Sequence, residues 1–207
     1  ISFQIKAGKC DLEGWNKRTD ITCPICGNLT NSKALKQQLI LNGSKERLLS
    51  VIEESPEGKQ YRLPTAQEIM IFDQIPLRID APTEMMEIGN QRNFNTPGWG
   101  ISSFAQMFTS RQLRMIQTFV AKLGELKMVL DATRSEYSKA IITYLGIFID
   151  RVALANTNLG RWHNGRETLE HPLSRQAIPM VFDFPESNPF CSSTGSAGNY
   201  VEWVSKY

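Results

Sequence analysis

Histidine is scarce in this chain, with two residues among 207, and no His-Glu-x-x-His spacing occurs. That excludes the zinc-hydrolase arrangement, which needs two imidazoles one helical turn apart. Long apolar runs are missing too. The charge-free stretch Ala140 to Ile149 falls well short of the roughly 20 residues a bilayer-spanning helix needs. No signal-peptide pattern is visible, so a cytoplasmic protein is expected. Neither sign of charge dominates: the formal net charge is +2, divided as +3 over residues 1–65, −1 over 66–132 and 0 over 133–207. Without a basic tail or stripe, any nucleic-acid footprint must be local. The small-residue loop Ser192 to Gly198 lacks the lysine of a phosphate-binding loop. No internal repeat or low-complexity tract is present.

Cysteine is limited to four residues, but Cys23-Pro24-Ile25-Cys26-Gly27 is a Cys-x-x-Cys knuckle. In a chain with no secretory signal this reads as metal or redox chemistry rather than a disulfide framework. Two thiolates two residues apart can hold one ion, and Gly27 lets backbone N–H groups face the sulfurs. Cys23 and Cys26 are therefore the candidate zinc ligands. A structural zinc needs four, and the remaining cysteines are Cys10 nearby and Cys191, remote in sequence. A reduced empty knuckle and a disulfide formed in air are the competing readings.

The strongest periodic signal is Tyr137 to Leu154. Apolar residues at Tyr137, Ile141, Tyr144, Leu145, Phe148 and Val152 have helical spacing. Ala140, Ile142, Ile147 and Ile149 widen that face, so burial on more than one side is expected. A second helix is predicted from the Thr109/Gln112 capping box to about Leu130, lined by Leu113, Ile116, Val120 and Leu123. The short break at 131–133 predicts that the helices at 110–130 and 134–155 pack antiparallel.

Upstream, residues 1–5 alternate as a short strand. Asn31 or Ser32 caps a helix through Leu41, closed by Asn42-Gly43. Residues 47–55 and 59–63 form a hairpin about Pro56-Glu57-Gly58, and Thr65 with Glu68 opens a helix to about Ile75. A long connection at 76–103 comes next, with Trp99 either plugging the domain surface or free to stack. Beyond residue 170, residues 177–184 are expected to be extended and residues 199–207 helical.

The fold class is therefore α+β and mainly α, with an antiparallel helix-pair core beside a small N-terminal zinc-ribbon-like part and a hairpin. The expected organisation is a zinc-ribbon-half and hairpin region at 1–64 and a helical domain at 65–207.

The core helix runs into Asn156-Thr157-Asn158-Leu159-Gly160-Arg161-Trp162-His163-Asn164-Gly165-Arg166, a polar, Gly-punctuated turn. Arg can pair with phosphate and Trp can stack on a base, so Arg161, Trp162, His163 and Arg166 are the candidate nucleic-acid contacts. The competing reading is a structural clasp, with Trp162 buried and the arginines paired to Glu167, Glu170 or Asp150. Glu167 and Glu170 read as helix-surface charges rather than an acid/base pair. No catalytic or cofactor-binding residue is identified.

Five blocks in order carry a resemblance: the Cys23–Gly27 knuckle; Tyr61-Arg62-Leu63-Pro64-Thr65; Gly98-Trp99-Gly100 with Met107 to Leu113; the helix with its Arg-Trp-His turn; and Arg175 to Asp183 with Glu186-Ser187-Asn188-Pro189-Phe190. Together they resemble the large prokaryotic adenine-specific DNA methylases that carry a zinc ribbon, a family mostly of unknown function.

The resemblance implies S-adenosylmethionine as methyl donor, adenine N6 in DNA as acceptor, zinc as a structural ion, and a partner knuckle upstream. It covers the region between the cofactor motif and the catalytic loop. With no Met at Ile1 and with Tyr207 inside an apparent helix, a piece of a longer protein is expected, its partners being DNA and the rest of the methyltransferase core. Neither the Gly-rich cofactor turn nor an Asp-Pro-Pro-Tyr loop is present, so the chain alone should be inert. Ser187-Asn188-Pro189-Phe190, the nearest candidate, lacks a second proline and reads as structural. The alternative is a zinc-ribbon nucleic-acid-binding or scaffolding module without enzymatic activity.

Overall fold

A computed structural model describes residues 3–6, 8, 14–17, 20–74, 81–131, 135–174 and 176–206. The fold is α+β and mostly helical, with small antiparallel sheets. Its residues group into two compact units, Ile1–Ile75 with Pro97–Ile101 and Pro76–Thr96 with Ser102–Tyr207. The helix at Ala66–Gln74 thus groups with the strands before it, whereas the sequence suggested a boundary at 64/65.

In the first unit, β1 (Asn16–Lys17), β2 (Asp20–Thr22) and β3 (Leu29–Thr30) form an antiparallel sheet in that order. The Cys knuckle is the turn between β2 and β3. Cys23 N–H donates to Asn28 O at 2.9 Å and Gly27 N–H to Cys23 O at 2.8 Å, with Gly27 at φ 71°. The strand expected at residues 1–5 is not formed over residues 3–6, where no described strand pairs with the backbone. Phe3 instead lies beneath the Arg47 guanidinium, 4.7 Å from the ring centre.

Helix α1 (Ser32–Asn42) begins at Asn31, whose carboxamide accepts the Ala34 N–H at 2.9 Å, and ends at Gly43. The hairpin β4 (Val51–Ser55) and β5 (Gly58–Arg62) turns through Pro56-Glu57. Arg62 then bonds both Glu53 and Glu68, at 2.7 Å each. Glu68 and Thr65 close the expected capping box reciprocally at the start of α2 (Ala66–Gln74). Arg62, helped by the Thr65 N–H and hydroxyl, holds the Glu68 carboxyl down to about 2. Trp99 is the one buried apolar side chain of this unit among the described residues, with the Lys36 ammonium 4.7 Å above its ring. Gly100 beside it has φ 91°, and a Cβ there would stand 2.9 Å from the Leu39 carbonyl, so only glycine fits. Trp99 is a plug, not a free stacking platform.

The second unit is built on α3 (Ser110–Asp131) and α4 (Glu136–Ala155), which pack antiparallel. The predicted box opens α3: Thr109 N–H donates to Gln112 Oε1 at 2.9 Å, and Gln112 N–H to Thr109 Oγ1 at 3.1 Å. Ser135 caps α4; residues 132–134 of the connection lie outside the described residues. Phe119 meets Phe148 edge to face, with centroids 5.7 Å apart. Phe148, Ile149 and Val152 form the core with Val204 of α5 (Ala197–Val204), flanked by Met115, Ile116 and Leu123.

The expectation that α4 is buried on more than one side is corrected. Its buried side chains, Ser138, Phe148, Ile149, Val152 and Ala155, share one face at helical spacing, while Tyr137 is 76% exposed, and Tyr144 and Ile147 are also exposed. A 3.6-residue repeat marks apolar stripes but not which stripe finds a partner. Residues 177–184 form no strand beyond one bridge, Ile178 with Phe94. No described helix is long and apolar enough to cross a membrane.

Candidate nucleic-acid interface

The end of α4 is fixed before the candidate residues begin. Asn156 is buried, and its amide Nδ2 donates back to Val152 O at 3.1 Å. The Thr157 hydroxyl and the Asn158 N–H both donate to Met107 O, at 2.7 and 2.8 Å. Leu159 is fully buried. The chain therefore leaves the helix along one path, and residues 160–170 inherit that rigidity.

Those residues form a β-hairpin, not the polar turn that was expected. Strand β6 (Arg161–His163) pairs antiparallel with β7 (Thr168–Glu170): Arg161 opposite Glu170, Trp162 opposite Leu169, His163 opposite Thr168. Alternation puts Trp162 and Leu169 on one face, and Arg161, His163, Thr168 and Glu170 on the other. Leu169 packs towards the 193–196 loop, where its N–H donates to Thr194 Oγ1 at 3.2 Å. The polar face therefore looks outward. Glu167, in the turn at φ 50°, and Glu170, on β7, are hairpin residues, which corrects the reading of both as helix-surface charges. The missed signal was Asn164-Gly165, the strongest short-range hairpin cue, flanked by strands of only three residues.

Arg161 is engaged. Its Nε donates to Glu170 Oε2 at 3.1 Å, its terminal nitrogen donates to the same oxygen, and the guanidinium holds the Glu170 carboxyl below its usual range. His163 Nδ1 accepts the Arg166 N–H at 3.0 Å, so in the neutral ring Nε2 carries the hydrogen and faces Glu170 Oε1 at 3.8 Å. Trp162 is half-buried, whereas the Arg166 side chain is exposed and, among the described residues, makes no ion pair within 4 Å. Arg161, Trp162, His163, Asn164, Gly165, Glu170 and Asp183 line a shallow cleft of about 430 Å³. Asp183 was not foreseen, since nothing periodic links it to a hairpin 13 or more residues earlier.

Cys23 and Cys26 belong to the first unit and Cys191 to the second; Cys10 lies outside the described residues. Backbone N–H groups of Cys26 and Ile25, with the Cys26 thiol, pull the Cys23 thiol below its ordinary value. That is the polarity a thiolate ligand needs. Among the described residues no group of three His, Cys, Asp or Glu side chains is placed to hold a metal ion.

No protein-family model, curated protein or solved structure matches the chain.

Proposed function

We propose that the chain is the DNA-positioning part of an S-adenosylmethionine-dependent, adenine-specific DNA methyltransferase, with the β6–β7 hairpin touching DNA. The observation that carries the DNA reading is the division of labour between the two arginines. Arg161 is bound to Glu170 and shapes the hairpin, while Arg166 extends from its turn with an exposed side chain. Arg166 is the phosphate contact, Trp162 and Arg161 form the clasp, and His163 holds the turn through the Arg166 N–H. The methyl-transfer reading rests on the resemblance of five ordered blocks, and the chain by itself is inert in it.

The test compares Arg166→Ala with Arg161→Ala for affinity to a duplex oligonucleotide at several salt concentrations, and for adenine methylation in the enzyme that carries this chain. Arg166→Ala is expected to weaken binding and make the salt slope shallower by about one, with the melting temperature unchanged. Arg161→Ala should lower the melting temperature and leave the slope alone. Equal slopes for Arg166→Ala and the parent chain would reject the DNA contact, and an enzyme that transfers no methyl group to adenine would reject the family.

A zinc-ribbon scaffold without activity is the second reading, favoured by the lowered Cys23 thiol at the β2–β3 turn. In both readings Cys23 and Cys26 are half of a zinc site. Protein purified without chelator is expected to hold well under one zinc per chain, all of it lost in Cys23→Ser. Zinc that persists in that variant would remove the knuckle from consideration.

A further inference from the structure

The chain contains two Asn-Gly pairs, Asn42-Gly43 and Asn164-Gly165. In such a pair the glycine nitrogen can reach the carbon of the preceding carboxamide, because glycine carries no side chain to obstruct the approach. The fold treats the two pairs differently. Asn42 is the last residue of α1, and the Gly43 N–H donates to Leu39 O at 2.9 Å. That bond turns the nitrogen towards the helix and shields its hydrogen from base. Asn164 and Gly165 instead form the exposed tip of the β6–β7 hairpin. Among the described residues, neither the Asn164 carboxamide nor the Gly165 N–H has a hydrogen-bond partner. The turn is closed one residue later, where the Arg166 N–H donates to His163 O at 3.2 Å and to His163 Nδ1 at 3.0 Å. An unengaged nucleophile thus sits beside an unengaged electrophile, immediately before Arg166.

We propose that Asn164 is a self-modification site, converted through a cyclic imide to aspartate and isoaspartate. Hydroxide removes the Gly165 amide proton, and the nitrogen attacks Asn164 Cγ. The Cγ–Nδ2 bond breaks, and the amide nitrogen takes up a proton and leaves as ammonia. Water then adds to one of the two imide carbonyls and opens the ring. Opening at the side-chain carbonyl gives aspartate; opening at the main-chain carbonyl gives isoaspartate, with the chain rerouted through an extra methylene. Water is the only co-reactant, and nothing is oxidised or reduced.

Either product replaces a neutral amide by a carboxylate two residues before Arg166. Residues 161–170 hold two arginines and two glutamates, so the conversion leaves the hairpin net negative. A new anion beside Arg166 opposes the approach of a phosphate. This effect on DNA rests on the Arg166 contact proposed above, whereas the conversion itself does not. The hairpin therefore carries its own clock, binding when new and repelling when aged.

The experiment incubates the purified chain at mildly alkaline pH and follows positions 42 and 164 by peptide mapping with mass spectrometry. Asn164 is expected to convert about fivefold or more faster than Asn42, the factor that one backbone hydrogen bond supplies. Gly165→Ala should slow conversion at 164 and leave 42 as it was. That variant keeps the turn, since Gly165 is not left-handed and the new Cβ meets His163 Cε1 at an ordinary 3.4 Å. Asn42 converting as fast as Asn164, or an unchanged rate at 164 in Gly165→Ala, overturns the proposal. A second arm compares Asn164→Asp with the parent chain on a duplex oligonucleotide, where affinity at low salt should fall about twofold or more. Equal affinity would overturn the clock. A parent chain that binds no duplex would reject the Arg166 contact and leave the modification standing on the mass shift.

Discussion

Replacing Phe148 by alanine is expected to destabilise the second unit by about 3–5 kcal/mol, seen as a fall in melting temperature of roughly 10–20 °C. The side chain is 7% exposed, meets Phe119 edge to face, and lies at the junction of α3, α4 and α5. Truncation removes its transfer free energy and leaves a cavity that three helices cannot all close at once. Tyr137→Ala on the same helix is the control: at 76% exposure it should change stability by no more than about 0.5 kcal/mol. Thermal unfolding followed by circular dichroism separates the two, and a Phe148→Ala midpoint within error of the parent would refute the three-helix core.

Gly195→Ala should cost about 2–4 kcal/mol although it adds a single methyl group. The residue has φ 85°, a conformation that L side chains rarely adopt, at about 1 kcal/mol. The new Cβ would also collide with the Ser187 side chain and come within 2.8 Å of Leu169 Cδ1. Ser187, met at its Cβ, cannot step aside without straining its two bonds to Asn156, whereas Leu169 is met only at the end of its side chain and can turn away. Gly198→Ala, three residues on and inside α5, meets only Ser196 Oγ at 3.5 Å and should be neutral or slightly stabilising. Urea denaturation of the pair is decisive: equal midpoints would mean the 187/195 contact is slack.

The parts of this fold that could be read from the sequence are those encoded within a few residues. Asn31, the Thr65/Glu68 pair and the Thr109/Gln112 pair each act on a backbone group three positions away, so the caps followed from spacing alone. The β4–β5 hairpin was legible because Pro56-Glu57, with Gly58 opening the return, separates two five-residue strands. The β6–β7 hairpin was not, since three-residue strands hold too few alternations to show a period. Nor could local pattern pair Arg111 with Glu186, or Ser187 with Asn156, which are 75 and 31 residues apart. Of the candidate site, the residue types were visible in advance. The assignment of Arg161 to Glu170, and the exposure of Arg166, depend on which face of a strand each side chain takes.

The Arg161–Glu170 pair also bears on how fast a polyanion can arrive. Over residues 161–170 the two arginines are balanced by Glu167 and Glu170, so the hairpin carries opposed charges of zero sum. The field of such an arrangement fades with distance faster than that of a bare cation, and salt at cellular strength screens what remains beyond about 8 Å. Were DNA the partner, as proposed, such a surface would do little to draw it in from afar, and encounter would proceed near the unsteered range of about 10⁵–10⁶ M⁻¹s⁻¹. Discrimination between sites would then fall on how long each complex lasts once formed.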